Sequence, residues 1–324
     1  MLNSDFRSVP VLILGFSRID SIRMMIGKLV NWGVKDVFLS LDFASEPKIL
    51  SEQKKLITEL SYQSKFSSTR IRIWHRNRNH GVAIGVLSGL DWFFAENETG
   101  IVIEDDLEFE EDFLRFCAFA LDCYKNHKDV LMVSGNRYSG QKVETSVTLT
   151  NYPQIWGWAT WSSKWTEMRD LIIGKSKFEY SKMIKNNIGY FYAGAVRARL
   201  GFVDTWDTPL AYEMLIREKF CILPPVNLVG NVGSDVYAAH THNDGFPMNQ
   251  PIHKLHEITF PNVESLTSAV LTQNKYLEKH VFRIKTRHML SPTKLWLEGL
   301  LRKCRGEKID SLPLRLNRAE KFAE

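Results

Sequence analysis

An α/β fold with a mostly parallel sheet and helices on both of its faces is predicted from three features of the first 135 residues. Short, nearly all-apolar runs recur and read as strands buried on both faces. Segments with apolar residues at helical spacing lie between these runs. Each run also ends in Gly, Asp, His or Glu, the residue types that gather where such strands deliver their side chains to a ligand crevice.

The elements follow in order. Val9 to Phe16 is the first strand, closed by Gly15-Phe16. Ile22, Met25, Ile26, Leu29 and Val30 then mark a helix. Val37 to Leu41 is a second strand, ended by Asp42, and Glu46 to Leu60 is helix-prone. A third strand, Arg70 to Trp74, runs into His75-Arg76-Asn77-Arg78-Asn79-His80-Gly81, and the next helix carries Val82, Val86, Leu90 and Phe93. Gly100 to Ile103 is a fourth strand and discharges into Glu104-Asp105-Asp106. Phe113 to Tyr124 is helical, and Val130 to Val133 is another strand. Beyond Asn136 the pattern changes. Tyr152 to Trp165 holds Trp156, Trp158, Trp161 and Trp165, Ala211 to Cys221 reads as a helix, and Gly230 to Pro251 is loop. The expected organisation is one domain of two halves, an alternating half over 1–135 and a smaller mixed lobe over 136–274 that completes its site, followed by a basic helical tail over 275–324, with 310–324 flexible.

Composition narrows the function. Hydrophobic residues at 44% and charged residues at 24% suit a globular chain with a large core. No apolar run reaches the roughly 20 residues of a membrane span, and residues 1–10 lack a signal-peptide core, so a cytoplasmic location is expected. Four scattered cysteines form no Cys-x-x-Cys pair and point to reduced thiols. The formal charge of +5 is unevenly spread, because residues 275–308 hold ten Lys/Arg against three Glu, a net +7 that leaves the remainder at −2. That argues against a nucleic-acid footprint over the body and for a basic tail at an anionic surface. Leu295, Trp296, Leu297, Leu300, Leu301 and Cys304 share one helical face, as in a helix lying on the inner leaflet of the plasma membrane. The same face would equally suit packing on the body or on a second subunit.

The acidic triplet is the strongest chemical signal. Clustered carboxylates repel unless a cation neutralises them, and oxygen ligands suit Mg²⁺ or Mn²⁺ completed by substrate phosphates. If the strand persists through the triplet, alternation sets Glu104 and Asp106 on one side and Asp105 on the other. A solvated acidic turn is the plainer reading. Asp42 could accept from a nucleobase or ribose, or cap a helix. Arg18 could fork onto a phosphate, and the donors around Asn79 and Gly81 suit phosphate or sugar hydroxyls. Of the tryptophans, Trp158 or Trp161 is expected in the core, with at least one indole lining a sugar pocket. Asp207 could be a general base or a helix cap, and Glu213 competes for the base role. In the late loop, His240 or His242 could complete a metal shell.

Taken in order, Pro10 to Arg18, Phe38 to Asp42, Asn79-x-Gly81, Ile103 to Asp106, Ile155 to Trp161, Trp206-Asp207, Pro225 to Gly233 and Ala239 to Thr241 resemble a GT-A-fold glycosyltransferase. Within that fold they are most similar to the N-acetylglucosaminyltransferase I-like group and bacterial surface-polysaccharide sugar transferases, over residues 8–245. The resemblance implies a GT-A-like, Rossmann-like fold that uses a UDP-sugar, Mn²⁺ or Mg²⁺ and a saccharide acceptor, lipid-linked if the tail meets a membrane. It implies a donor site of Phe16, Arg18, Asp42, Asn79, Gly81, Glu104 and Asp105. Asp106 and His240 would bind the metal, Asp207 would be the base of an inverting transfer, and Trp156, Trp158 and Glu213 would border the acceptor and sugar pocket. Thr208 after Asp207 departs from the second acid of the family. Two other classes compete: a nucleotide-sugar-forming nucleotidyltransferase, for which Gly15-Phe16-Ser17-Arg18 offers only one glycine, and a non-catalytic carbohydrate-binding protein at the membrane.

Overall fold

The computed structural model describes residues 5–138, 145–174, 189–233, 250–256, 258–284, 297, 301, 302, 304, 305 and 311–320. Its first half follows the predicted alternation: β1 (Val11–Gly15), α1 (Ile19–Asn31), β2 (Asp36–Leu41), α2 (Pro47–Gln63), β3 (Arg70–His75), α3 (Gly81–Phe94), β4 (Thr99–Glu104), a short β5 (Leu107–Phe109), α4 (Glu111–Tyr124) and β6 (Val130–Ser134). After these come β7 (Thr148–Thr150), β8 (Trp158–Trp161), α5 (Ser162–Ile172), α6 (Gly189–Arg199), α7 (Asp207–Ile216), β9 (Phe220–Leu223), β10 (Val229–Asn231), α8 (Val263–Tyr276), a π-helical turn Leu277–Val281 and α9 (Leu312–Glu320).

One large sheet of order β3-β2-β1-β4-β8-β6-β9-β7 organises the molecule. β3, β2, β1 and β4 are mutually parallel, β8 runs antiparallel between β4 and β6, and β6 pairs parallel with β9. This is the mostly parallel, helix-flanked α/β fold expected of a GT-A-like chain. Alternation along β1 feeds both faces. Val11 and Ile13 enter a core with residues of α1, α2, α4 and α8, whereas Leu12 and Leu14 enter a second core with residues of α3, α5, α7 and α9. Both faces are dry, which is why these strands read as unbroken apolar runs.

From the second half of the chain, β7, β8 and β9 belong to the main sheet, and β8 occupies its centre. Three expectations are corrected. Cys221 lies in β9, not at the end of a helix, because α7 stops at Ile216 and Phe220–Leu223 pairs with β6. The tail boundary at 274/275 falls inside a continuous element: α8 runs into the π turn, whose Leu277 and Val281 are buried against Tyr152 and Phe191. Finally, within the 310–324 stretch, Leu312–Glu320 forms a helix whose Leu312 and Leu316 are buried in the α3 core. Among the described residues, no helix is long and apolar enough to cross a membrane. Most of 285–310 lies outside the described residues, although Leu297 and Leu301 are described and exposed.

Candidate functional site

Because β1 to β4 are parallel, their carboxyl ends share one edge, and the residues following each strand meet there. Gln53 of α2, fully buried, ties three of these ends together. Its Nε2 donates to the carbonyls of Phe16 (2.7 Å) and Asp42 (2.8 Å), while its Oε1 accepts from the Ala44 N–H (3.3 Å) and pairs with His75 Nε2 at 3.1 Å. Two bonds to carbonyls fix the amide nitrogen and the Ala44 bond fixes the oxygen, so His75 Nε2 carries the proton in that pair.

The strand ends at Glu104, and Asp105-Asp106 form a turn, so strand alternation does not reach the last two acids of the triplet. Asp105 turns toward β1 and is spent there, its Oδ2 accepting from the Phe16 N–H (2.8 Å) and its Oδ1 from Arg18 Nη1 (3.1 Å). Glu104 and Asp106 behave differently. Glu104 Oε1 and Asp106 Oδ1 are both buried, and neither has a hydrogen-bond partner among the described residues. Burial, reinforced by Asp106, Asp105 and Asp207, raises the Glu104 carboxyl well above its usual range. Burial and the neighbouring Asp105 push Asp106 up to about 6. Among the described residues, Asn231 donates to Asp106 Oδ2 at 3.3 Å, and the Arg18 charge and the Asp106 backbone N–H work against the rise. β10 brings Asn231 there by pairing with β5, and Gly233 follows because any side chain at 233 would collide with the Asp106 carboxylate.

A buried carboxylate oxygen with no donor costs free energy unless a cation or a proton answers it. Two such oxygens on hard ligands at a strand edge fit Mg²⁺ or Mn²⁺, which need only one or two protein carboxylates when phosphate and water complete the shell. Among the described residues no three His, Cys, Asp or Glu side chains converge into a complete metal shell. His240 and His242 lie outside the described residues.

Asp207 opens α7. Its Oδ1 accepts from the Thr205 hydroxyl and from the N–H and hydroxyl of Thr208 (2.8 and 3.3 Å), so that oxygen is oriented by its own turn. Its charge is felt by Glu104, and it helps burial raise the hydroxyls of Tyr138 and Tyr190. Those effects bring Asp207 within electrostatic reach of Glu104, Tyr138 and Tyr190. Trp156 is half-buried and meets Tyr138 edge to face at 5.5 Å.

Asp42, Asn79 and Gly81 form one knot. Asp42 accepts from the backbone N–H groups of Phe43, His80 and Gly81 at 3.0 to 3.1 Å, and burial still raises its carboxyl. Asn79 Oδ1 accepts from Gly81 N and its Nδ2 donates to the Phe43 carbonyl. Asp204 takes the next two N–H groups, those of Val82 (2.7 Å) and Ala83 (3.3 Å). Gly81, at φ 75°, leaves room for that carboxylate. The start of α3 is therefore capped by two protein carboxylates, and the helix-start N–H groups expected for a phosphate are already taken.

Two assignments change. Glu213 is fully buried and accepts from Arg199 (2.6 Å) and Arg217 (3.0 Å), an internal ion pair with no oxygen facing an acceptor. Trp158 is 1% exposed, a core residue stacked on Trp206 at 5.7 Å, so its ring does not line an open pocket. Trp161 and Trp165 are core as well, their indoles donating to the Leu121 carbonyl and to Asp91. Gln53, Asp204 and Asn231 are the organising residues that inspection of the sequence does not single out. For Asn231 the only available signal was its place in the Pro225 to Gly233 match.

No family model and no curated protein matches this chain. Among solved structures it is similar to GalNAc-T7 crystallised with UDP, GalNAc and Mn²⁺, at 9% identity and TM-score 0.44, over 80% of this chain and 47% of that one. The chain thus spans about half the length of that neighbour. HddC from Yersinia pseudotuberculosis aligns at 14% identity and TM-score 0.26, over 44% and 59% of the two chains. A protein named as a glucose-1-phosphate thymidylyltransferase, from Bacillus anthracis, aligns at 12% identity and TM-score 0.32, over 56% and 81%. At TM-scores below 0.5 none of these likenesses assigns the chain to a family.

Proposed function

We propose that this chain is a metal-dependent glycosyltransferase that moves a hexosyl or N-acetylhexosaminyl group from a UDP-sugar to a hydroxyl of a saccharide acceptor. One observation carries the reading: Glu104 Oε1 and Asp106 Oδ1, buried and without a hydrogen-bond partner among the described residues, lie at the carboxyl edge of the parallel sheet, where ligands of such sheets bind. Asp106 and Glu104 would hold Mn²⁺ or Mg²⁺, with His240 as a further ligand. When bound, the cation supplies charge neutralisation for the departing diphosphate.

The chain's own groups do the rest. Asp105 holds Arg18 and the Phe16 backbone in place, which keeps the guanidinium at the strand edge for the nucleotide. Phe16, 38% exposed, offers a ring face to the base, and Asp42 with Asn79 and Gly81 frames the ribose side. Asp207, one oxygen steadied by Thr205 and Thr208, takes the proton of the acceptor hydroxyl. That hydroxyl oxygen bonds to the anomeric carbon as the bond to UDP breaks, and UDP leaves with the electron pair, inverting the centre. Trp156 beside Tyr138 supplies an aromatic face for the acceptor sugar. The exposed Leu297 and Leu301, in a segment rich in Lys and Arg, support a peripheral position at the inner membrane face and a lipid-linked acceptor.

The test is UDP release from a panel of UDP-sugars with and without Mn²⁺. Transfer predicts slow, metal-dependent release without acceptor, abolished by EDTA. Pyrophosphate release from UTP and a sugar 1-phosphate would instead make the chain a nucleotidyltransferase, and no turnover together with glycan binding would make it a lectin.

A further inference from the structure

Two carboxylates share the start of α3, and the second comes with a cation from α9. Asp42 accepts from the N–H groups of His80 and Gly81, and Asp204 from those of Val82 and Ala83. Asp204 Oδ1 also accepts from Arg315 Nη2 at 2.7 Å. A Cβ on Gly81 would lie 2.4 Å from Asp204 Oδ2 and 3.7 Å from Arg315 Nη2, so the guanidinium stands at the helix start itself. α9 is seated there by Leu312 and Leu316, both buried in the core that holds Ala83, Val86 and Leu87 of α3.

Asp204 also lies in the segment that joins α6 to α7 and ends at Asp207. Residues beyond α8 grip this segment twice. Arg315 pairs with Asp204, and the Arg302 guanidinium stands 4.3 Å from the centre of the Phe202 ring. One residue after Asp204, the Thr205 hydroxyl donates to Asp207 Oδ1. Phe202 to Asp207 therefore carries, in order, one contact with the C-terminal segment, the cap of α3 with the second such contact, and the hydroxyl that orients the proposed base. The ion pair is partly exposed on both sides, and pairs of that kind contribute little to folding by themselves. Its effect is geometric: a carboxylate that serves two helix-start N–H groups and a guanidinium at once is held in one orientation.

We infer that Arg315, acting through Asp204, is a positioning residue for the transfer reaction. It holds the start of α3, and with it the Asp42, Asn79 and Gly81 side of the nucleotide pocket, in fixed register with the segment that presents Asp207. The inference rests on the proposed donor reading and gives the C-terminal segment a part in that site, separate from any membrane contact. Without the guanidinium, the Asp204 carboxylate is released from its single orientation, and the Val82 and Ala83 N–H groups lose a steady acceptor. The backbone from Asn79 to Ala83, to which Asp42 is bonded, then loses its fixed position. The consequence falls on nucleotide binding more than on stability.

The experiment titrates UDP, with Mn²⁺ present, into the full chain and into Arg315→Met, Arg315→Lys, Asp204→Asn and the double variant Arg315→Met with Asp204→Asn. Circular dichroism fixes a temperature at which each is folded. Arg315→Met should bind UDP at least about fivefold more weakly than wild type, while Arg315→Lys, which keeps the charge, should stay within about twofold. The double variant should lose no more than the weaker of the two single variants, because both changes break the same link. Arg315→Met that keeps wild-type UDP affinity, whatever its melting temperature, overturns the inference and leaves α9 a structural element, and so does an Arg315→Met chain that fails to fold. Losses that add in the double variant overturn it as well, since Arg315 would not then act through Asp204. A wild type that binds no UDP overturns instead the donor reading on which the inference rests.

Discussion

Replacing Asp106 by Asn should stabilise the protein in the absence of metal and abolish its stabilisation by metal. In the fold, burial and the adjacent Asp105 raise the Asp106 carboxyl from 3.8 to about 6. At neutral pH that displacement corresponds to about 3 kcal/mol against the folded state. The direction matters. Between about pH 4 and pH 6 the folded chain holds a proton that the unfolded chain has released. The stability contributed by that proton is complete at the acid end of this window and is lost as pH rises through about 6. Asn keeps the shape and the contact with Asn231 and carries no charge to desolvate. Asp106→Asn should therefore exceed wild type by up to about 3 kcal/mol at pH 7, a melting shift on the order of 5 °C for a chain of this length, and should lose the advantage near pH 4. With Mn²⁺ and UDP the order should reverse, because only wild type gains the binding term. Thermal melts at the two pH values, with and without Mn²⁺ and UDP, read all of this. An Asn variant less stable than wild type at pH 7 without metal would mean that the carboxylate already has a partner in the fold, and the reasoning would fail.

Three further outcomes follow from particular contacts. Asp207→Asn should keep UDP affinity within about twofold of wild type and lower transfer by at least about a hundredfold; turnover near wild type in a product assay would disqualify Asp207 as the base. Glu213→Gln, which strips the counter-charge from Arg199 and Arg217, should cost about 3 kcal/mol of stability in urea titration and leave UDP affinity unchanged, whereas a pocket residue would show the opposite pattern. A chain ending at residue 310 loses the burial of Leu312 and Leu316 and the Arg315 ion pair with Asp204, and should be destabilised by about 3 kcal/mol. An unchanged denaturation midpoint would show that α9 contributes nothing to the body.

The sequence was most legible where one physical rule decided the outcome. β1, β2 and β4 are buried on both faces and had to be apolar runs, and parallel strands had to deliver Arg18, Asp42, His75 and the acids to one edge. The split of the acidic triplet did not follow from alternation, because β4 ends at Glu104 and Asp105-Asp106 form a turn. Legibility fell where two rules compete for the same residues. Spacing assigns no element to Tyr152 to Trp165, yet Trp158–Trp161 is the central antiparallel strand, where large side chains fill both faces. Glu213 and Asp207 are both acids in one short segment, and only packing shows that the first is closed off by two arginines while the second keeps an oriented carboxylate. Asp42 acts mainly through backbone N–H groups at the start of α3, a role shared with Asp204 from 162 residues farther along the chain, and spacing carries no record of such long-range capping. Gln53 reads as one polar residue on an amphipathic helix, although three strand ends depend on it.

The most direct test is to locate Mn²⁺ by its anomalous scattering in crystals of the protein grown with UDP. The account predicts one ion within coordination distance of Asp106, with Glu104 facing it and diphosphate oxygens completing its shell. A diphosphate bound elsewhere, or a strand edge at which Asp106 and Glu104 meet only water while UDP is present, would contradict it.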